Sequence, residues 1–130
     1  MAAKPRKILI VDPDAFLAGI YARRFELGKW NVRVAETATE ARKILVRNAP
    51  DAILVDVEAI GDSVAFLHEL RDHPKAKHSV VVALATIGQR KAIEDARKAG
   101  ADAYLLKGHF VPSEVRAKVE RLVTEKNVER

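Results

Sequence analysis

Four short, largely apolar runs recur along the chain: Ile8 to Val11, Ala52 to Val55, Ser79 to Ala85 and Ala103 to Leu106. They are continuous rather than alternating, the pattern of strands buried on both faces of a parallel sheet. A fifth segment places Trp30, Val32 and Val34 between polar residues, as a half-buried strand at a sheet edge does. Helical spacing fills the intervals. Phe16, Leu17, Ile20, Tyr21 and Phe25 repeat along the first helix, and Gly28 stops it. Thr37-Ala-Thr-Glu40 is a capping box that opens a second helix, with Ala41, Ile44 and Leu45 on one face, ending before Pro50.

After Asp56 the stretch VEAIGDS reads as a loop, with Gly61 at its turn and Asp62 or Ser63 capping a helix that carries Phe66, Leu67 and Leu70. Gly88 is expected to begin a fourth helix with Ala92, Ile93 and Ala96 inward. Gly100 closes that helix where a left-handed residue is needed. Pro112 suits the first turn of a last helix, whose buried stripe is Val115, Val119, Leu122 and Val123. Strands alternating with helices over short connections predict an α/β fold, a doubly wound five-stranded parallel sheet with helices on both faces. In such sheets ligands bind beyond the carboxyl ends of the strands. Asp12, Asp56, Thr86 and Lys107 all fall there.

Composition narrows the classes. With 130 residues, the expectation is one domain spanning 1–130, its core at about 7–123 and its ends, 1–6 and 125–130, flexible. The 48% hydrophobic content can build a core, and 32% charged residues leave no membrane-span-length apolar stretch. No cysteine is present, so disulfides, thiolate metal sites and cysteine nucleophiles are excluded. Absence of a signal-peptide pattern makes the cytoplasm the expected compartment. The net charge of +5 is spread over mixed helices such as RKAIEDARK, and the basic loop from His73 to His78 has no aromatic to stack on bases. Neither nucleic acid nor membrane is therefore an expected partner. His68, His73, His78 and His109 show no metal-ligand spacing, and Trp30 and Phe16 are read as core anchors or helix covers.

The stretches KILIVDPDAFL, DAILVDVEAIG, VVALATIGQ and AGADAYLLKG, with the order of all ten elements, resemble a bacterial two-component response-regulator receiver domain of the chemotaxis-regulator kind. AGADAYLLK is the most specific piece. The resemblance implies the flavodoxin-like (βα)5 fold with strand order 2-1-3-4-5, and phosphorelay signalling in which Asp56 accepts a phosphoryl group. It also implies that Asp12, Asp56 and the backbone carbonyl of Glu58 hold Mg²⁺, that Lys107 and Thr86 contact the phosphoryl group, and that Tyr104 is the switch aromatic. No enzymatic residue follows from it. The implied partners are a sensor histidine kinase or phosphotransfer protein, and a downstream protein target or second copy on the face of the fourth helix, fifth strand and fifth helix.

The chemistry is intelligible in its own right. Mg²⁺ screens a carboxylate nucleophile from a phosphoryl donor, and a lysine adds a point charge. A phosphoryl group brings about −1.5 to −2 charge, enough to redraw a nearby loop.

Four positions depart from the family pattern. Pro13 stands where a second acid is usual, Ala85 where a small hydroxyl residue is usual, Gly108 where a proline follows the lysine, and Ile60 where a proline follows the acceptor. Thr86 can replace the missing hydroxyl only if the strand has ended before it, because side chains alternate along a strand. The expectation is weakened Mg²⁺ binding and slow phosphorylation, with Asp14 or the Glu58 side chain the candidates to lean into the gap. Two alternatives accompany this reading. One is a phosphorylation-independent pseudo-receiver acting as a protein-interaction module; the other is a haloacid-dehalogenase-type phosphatase using Asp12 and Asp14. Asp14 also has a plainer reading, as the cap of the first helix.

Overall fold

The computed structural model describes residues 4–128. The expected flexible ends fall partly outside this range, at 1–3 and 129–130. In chain order the elements are β1 (Lys7–Val11), α1 (Ala15–Leu27), β2 (Asn31–Ala35), α2 (Ala38–Leu45), β3 (Ala52–Asp56), α3 (Ser63–Asp72), β4 (Val80–Ala85), α4 (Arg90–Lys98), β5 (Ala103–Leu106) and α5 (Pro112–Val128). All strand pairs are parallel, in the order β2-β1-β3-β4-β5. The expected α/β architecture is the one found.

Strand periodicity divides the apolar residues between two layers. Ile8, Ile10, Leu54, Val82 and Leu84 pack against Ala18, Tyr21 and Phe25 of α1 and Val115, Val119 and Val123 of α5. Leu9, Val11, Ile53, Val55 and Ala83 face the other way, onto Ala41 and Leu45 of α2, Phe66, Leu67 and Leu70 of α3 and Ala96 of α4. Covering β1, β3 and β4 on both faces explains why their sequences are continuous apolar runs. Order 2-1-3-4-5 puts the switch point between β1 and β3, so the crevice opens where β1 runs into Asp12 and β3 ends at Asp56.

Helix ends follow from local chemistry. Asp14 caps α1, its carboxylate accepting from the Phe16 and Leu17 N–H groups. Thr37 caps α2, and Glu40 reaches back to the Glu36 N–H. Asp62 caps α3.

Two expectations are revised. Phe16 is 78% exposed and Ile20 is also exposed, because the inward stripe of α1 is Ala18, Tyr21 and Phe25. Trp30 is a core anchor as expected: it meets Phe25 edge-on at 5.4 Å, and its indole N–H donates to Glu120. Gly88 precedes α4 without starting it. The helix begins at Arg90 after Gln89, and Gly88 lies close under Leu106, where an added Cβ would stand 3.0 Å from Leu106 Cδ1.

Candidate functional site

Asp12 and Asp56 end neighbouring central strands and point to the same side of the sheet, since Ile10 and Leu54, two residues earlier on each, share one layer. Both carboxylates are buried. Asp12 Oδ1 accepts from the Asp14 N–H at 2.8 Å. Asp56 Oδ1 accepts from the Glu58 and Ala59 N–H groups, each at 3.1 Å, and Asp56 Oδ2 accepts from the Lys107 ammonium at 2.6 Å. Lys107 leaves the end of β5 with its backbone N–H on the Ala85 carbonyl, which aims its side chain back over β4 towards β3. Three of the four expected groups thus converge.

The electrostatics follow from burial. Desolvation pushes the Asp12 carboxyl above its ordinary range; the Asp14 N–H opposes this and the neighbouring Asp56 charge adds to it. Lys107 loses hydration, which alone would lower its pKa, but the hydrogen bond to Asp56 and the fields of Asp56 and Asp12 outweigh it and leave it raised. Tyr21 was expected only as core. Its phenol is buried within electrostatic reach of Lys107, Asp12 and Asp56, and burial pushes its pKa up.

A raised carboxyl pKa means that the folded chain holds the Asp12 proton more tightly than the unfolded chain, so stability falls as pH rises through and above the ordinary aspartate range. At neutral pH the ionised Asp12 therefore opposes folding. Asp12→Asn keeps the acceptor for the Asp14 N–H and removes the charge. It is expected to raise the urea midpoint at pH 7, within the roughly 0.5–2 kcal/mol typical of stabilising substitutions; a lowered midpoint would contradict this account.

Thr86 stands immediately after the last residue of β4, so the strand has ended before it. Its hydroxyl is turned to Glu58. It donates to Glu58 Oε1 at 2.7 Å, and the Thr86 and Ile87 N–H groups donate to the same carboxylate at 2.8 and 3.0 Å. The Thr86 N–H is the first cause holding the Glu58 carboxyl below its usual range; the Thr86 hydroxyl and the Ile87 N–H add to it, against a partial desolvation. Glu58 was expected to serve through its backbone carbonyl, with its side chain a candidate to lean into the gap at Pro13. The engagement of that side chain with the next loop was missed, because its partners lie 28 and 29 residues away. Tyr104 donates its hydroxyl to the Ile87 carbonyl at 3.1 Å, from the far side of that loop.

With this geometry in view, the comparisons with known proteins decide the family. The description "Response regulator receiver domain" matches residues 8–120. The chain belongs to that family. A chemotaxis protein CheY from Halobacterium salinarum is 28% identical over 109 residues, covering 83% of this chain and 89% of that protein. The transcriptional regulatory protein PrrA of Mycobacterium tuberculosis is 30% identical over 121 residues, 90% of this chain; the receiver spans about half of that regulator, 49% of its length. Among solved structures, a CheY-like receiver from Methanospirillum hungatei superposes with a TM-score of 0.88 over 98% of this chain and 100% of that one, at 20% identity. A candidate response regulator from Chloroflexus aurantiacus is 31% identical, with a TM-score of 0.83 over 93% and 99%.

Receivers as a family are signalling domains that bind Mg²⁺ at the phosphorylation site and work between histidine kinases and downstream targets. Among the described residues of this receiver, no helix is long and apolar enough to cross a membrane. Nor do three or more acidic or histidine side chains gather into a metal-binding group. What remains is Asp12, Asp56 and the Glu58 carbonyl. Because Mg²⁺ retains several waters and is satisfied by one or two carboxylates, this donor set suits the ion, but with one negative charge fewer than an acidic residue at position 13 would supply. Neither candidate fills that gap: Asp14 caps α1, and the Glu58 side chain is turned to Thr86 and Ile87.

Proposed function

We propose that this receiver accepts a phosphoryl group on Asp56 from a histidine kinase or phosphotransfer protein, slowly, and passes the change to a protein-binding face formed by α4, β5 and α5. The observation that carries the proposal is the convergence of buried Asp56 and Asp12 at adjacent strand ends with Lys107 2.6 Å from Asp56 Oδ2. A carboxylate oxygen of Asp56 attacks phosphorus. The new P–O bond forms as the bond from phosphorus to the donor nitrogen or oxygen breaks, and the leaving group takes that electron pair. The Glu58 and Ala59 N–H groups hold the carboxylate in place, and Lys107 moves its charge from the carboxylate to the incoming phosphoryl oxygens. Asp12, Asp56 and the Glu58 carbonyl are the groups that would hold Mg²⁺, which when bound screens the negative charges of nucleophile and donor.

Incubation with acetyl phosphate and Mg²⁺, followed by intact-mass measurement, tests this reading. Wild type is expected to gain one phosphoryl group slowly and incompletely, and Asp56→Asn none. Rapid full conversion would refute the impaired site, and a gain that persists in Asp56→Asn would refute the acceptor. Pro13 and the engagement of Thr86 by Glu58 favour a second reading, a receiver that binds its partner without phosphorylation. A wild type that gains no mass at all would favour that reading over phosphorylation.

A further inference from the structure

The loop from Thr86 to Gln89 between β4 and α4 presents two consecutive backbone N–H groups and a hydroxyl in one direction. Successive N–H groups of this kind form a concavity that takes an anion. In this chain the concavity is filled from within, by a carboxylate whose two oxygens accept all three hydrogens. We propose that Glu58 is a built-in anion of the switch loop: its side chain holds Thr86 and Ile87 in the unphosphorylated chain and so sets the position of the Tyr104 anchor without any phosphoryl group.

The hydrogen bonds form one continuous path. Asp56 Oδ1 accepts from the Glu58 backbone N–H, which fixes where the Glu58 side chain starts. Glu58 Oε1 and Oε2 take the Thr86 and Ile87 donors, and the Ile87 carbonyl accepts the Tyr104 hydroxyl. Acceptor, loop and aromatic are therefore tied through one glutamate. Two anions cannot share the same three donors at contact distance without strong repulsion. Any phosphoryl group on Asp56 would have to displace Glu58 before it could engage Thr86, so the loop is held first by the chain's own charge. Glu58 is a positioning residue in this scheme. Its effect on the loop is independent of phosphorylation, although the contest with a phosphoryl group rests on the proposed role of Asp56.

The test is amide hydrogen exchange by NMR on the full chain, with no phosphodonor present. In Glu58→Ala the Thr86 and Ile87 amides are expected to exchange about tenfold faster than in wild type, the scale set by losing one charge-assisted bond each. The core amides of Leu54 and Val82 should keep their protection, since the Glu58 side chain is exposed. Glu58→Gln retains only one accepting oxygen and should give a smaller acceleration. The Tyr104 ring resonances should shift in Glu58→Ala and stay put in Glu69→Ala, whose carboxylate pairs with Arg42 elsewhere. Unchanged protection of both amides in Glu58→Ala would overturn the proposal. Failure of acetyl phosphate to modify Asp56 would not, because exchange is read on the unmodified chain; the two ideas fall separately.

Discussion

Replacing Pro13 by aspartate is expected to tighten Mg²⁺ binding by about tenfold to a hundredfold, read by isothermal titration at neutral pH and low salt. A unit charge 4 Å from another is worth about 4 kcal/mol at an effective dielectric near 20, so a carboxylate facing a divalent ion gains up to about twice that before costs. Desolvation and repulsion from Asp12 and Asp56, both already buried, return most of it. A net of roughly 1.4–2.8 kcal/mol is what tenfold to a hundredfold requires. The same charge should lower the stability of the metal-free chain and raise it once Mg²⁺ is added, so the urea midpoint should become more dependent on Mg²⁺ than in wild type. The acetyl phosphate reaction should accelerate in parallel. An affinity unchanged in Pro13→Asp would mean that the side chain at position 13 does not face the ion.

The reason that this substitution stands out from sequence is also the reason that the fold was legible there. Buried parallel strands permit few residues other than apolar ones, so an acid at the end of one is conspicuous; Asp12 and Asp56 stand out as a pair in the sequence itself. Lys107 was legible by the same rule, at the end of a fourth apolar run. Asp14 was legible as a cap because Phe16 and Leu17 follow it at capping distance. The α1 face was legible only in part. Tyr21 and Phe25 were legible as inward residues, but Phe16 and Ile20 were read on the same repeat because of their size, and the small Ala18 was passed over. The helix instead turns its small Ala18 to the sheet, where close approach counts for more than the area that a large exposed ring could bury.

Glu58 was hidden for a different reason. Its side-chain partners are non-local, and nothing in VEAIG distinguishes an acid that clamps a distant loop from one that faces solvent. The signal that existed was a pairing of two oddities: an acid two residues after Asp56, and a threonine one position beyond the expected hydroxyl. Each looks like a small departure by itself. Together they place a carboxylate and its donors on adjoining loops at the ends of paired strands β3 and β4.

Gly100→Ala is expected to be the most destabilising single-methyl change in the fold, at about 3 kcal/mol, a fall in Tm of roughly 10 °C for a chain of this size. Gly100 follows α4 with φ at 110°, and it closes a Schellman pair in which its own N–H bonds to the Arg97 carbonyl and the Ala101 N–H to that of Ala96. Alanine is strained at that φ, which accounts for about 1–2 kcal/mol. The new Cβ would also lie 2.3 Å from Arg71 Cγ, and Arg71 cannot yield without loss. Its guanidinium donates to the Gly100 carbonyl at 2.8 Å, the Ser79 carbonyl at 2.7 Å and Asp102 at 2.6 Å, and Asp102 also accepts from the Val81 N–H at 2.8 Å. Breaking one such charge-assisted bond costs about 1.5–3 kcal/mol. Because glycine and arginine act through one network, Arg71→Ala and Gly100→Ala should be markedly non-additive, the double variant losing less than the sum of the two. Thermal unfolding of the two single variants and the double variant decides it. Strict additivity would mean that the strain at position 100 is local and that Arg71 does not transmit it. The proposed phosphorylation at the far ends of β3 and β5 should be unchanged in whatever fraction remains folded, which separates this scaffold effect from one at the acid pair.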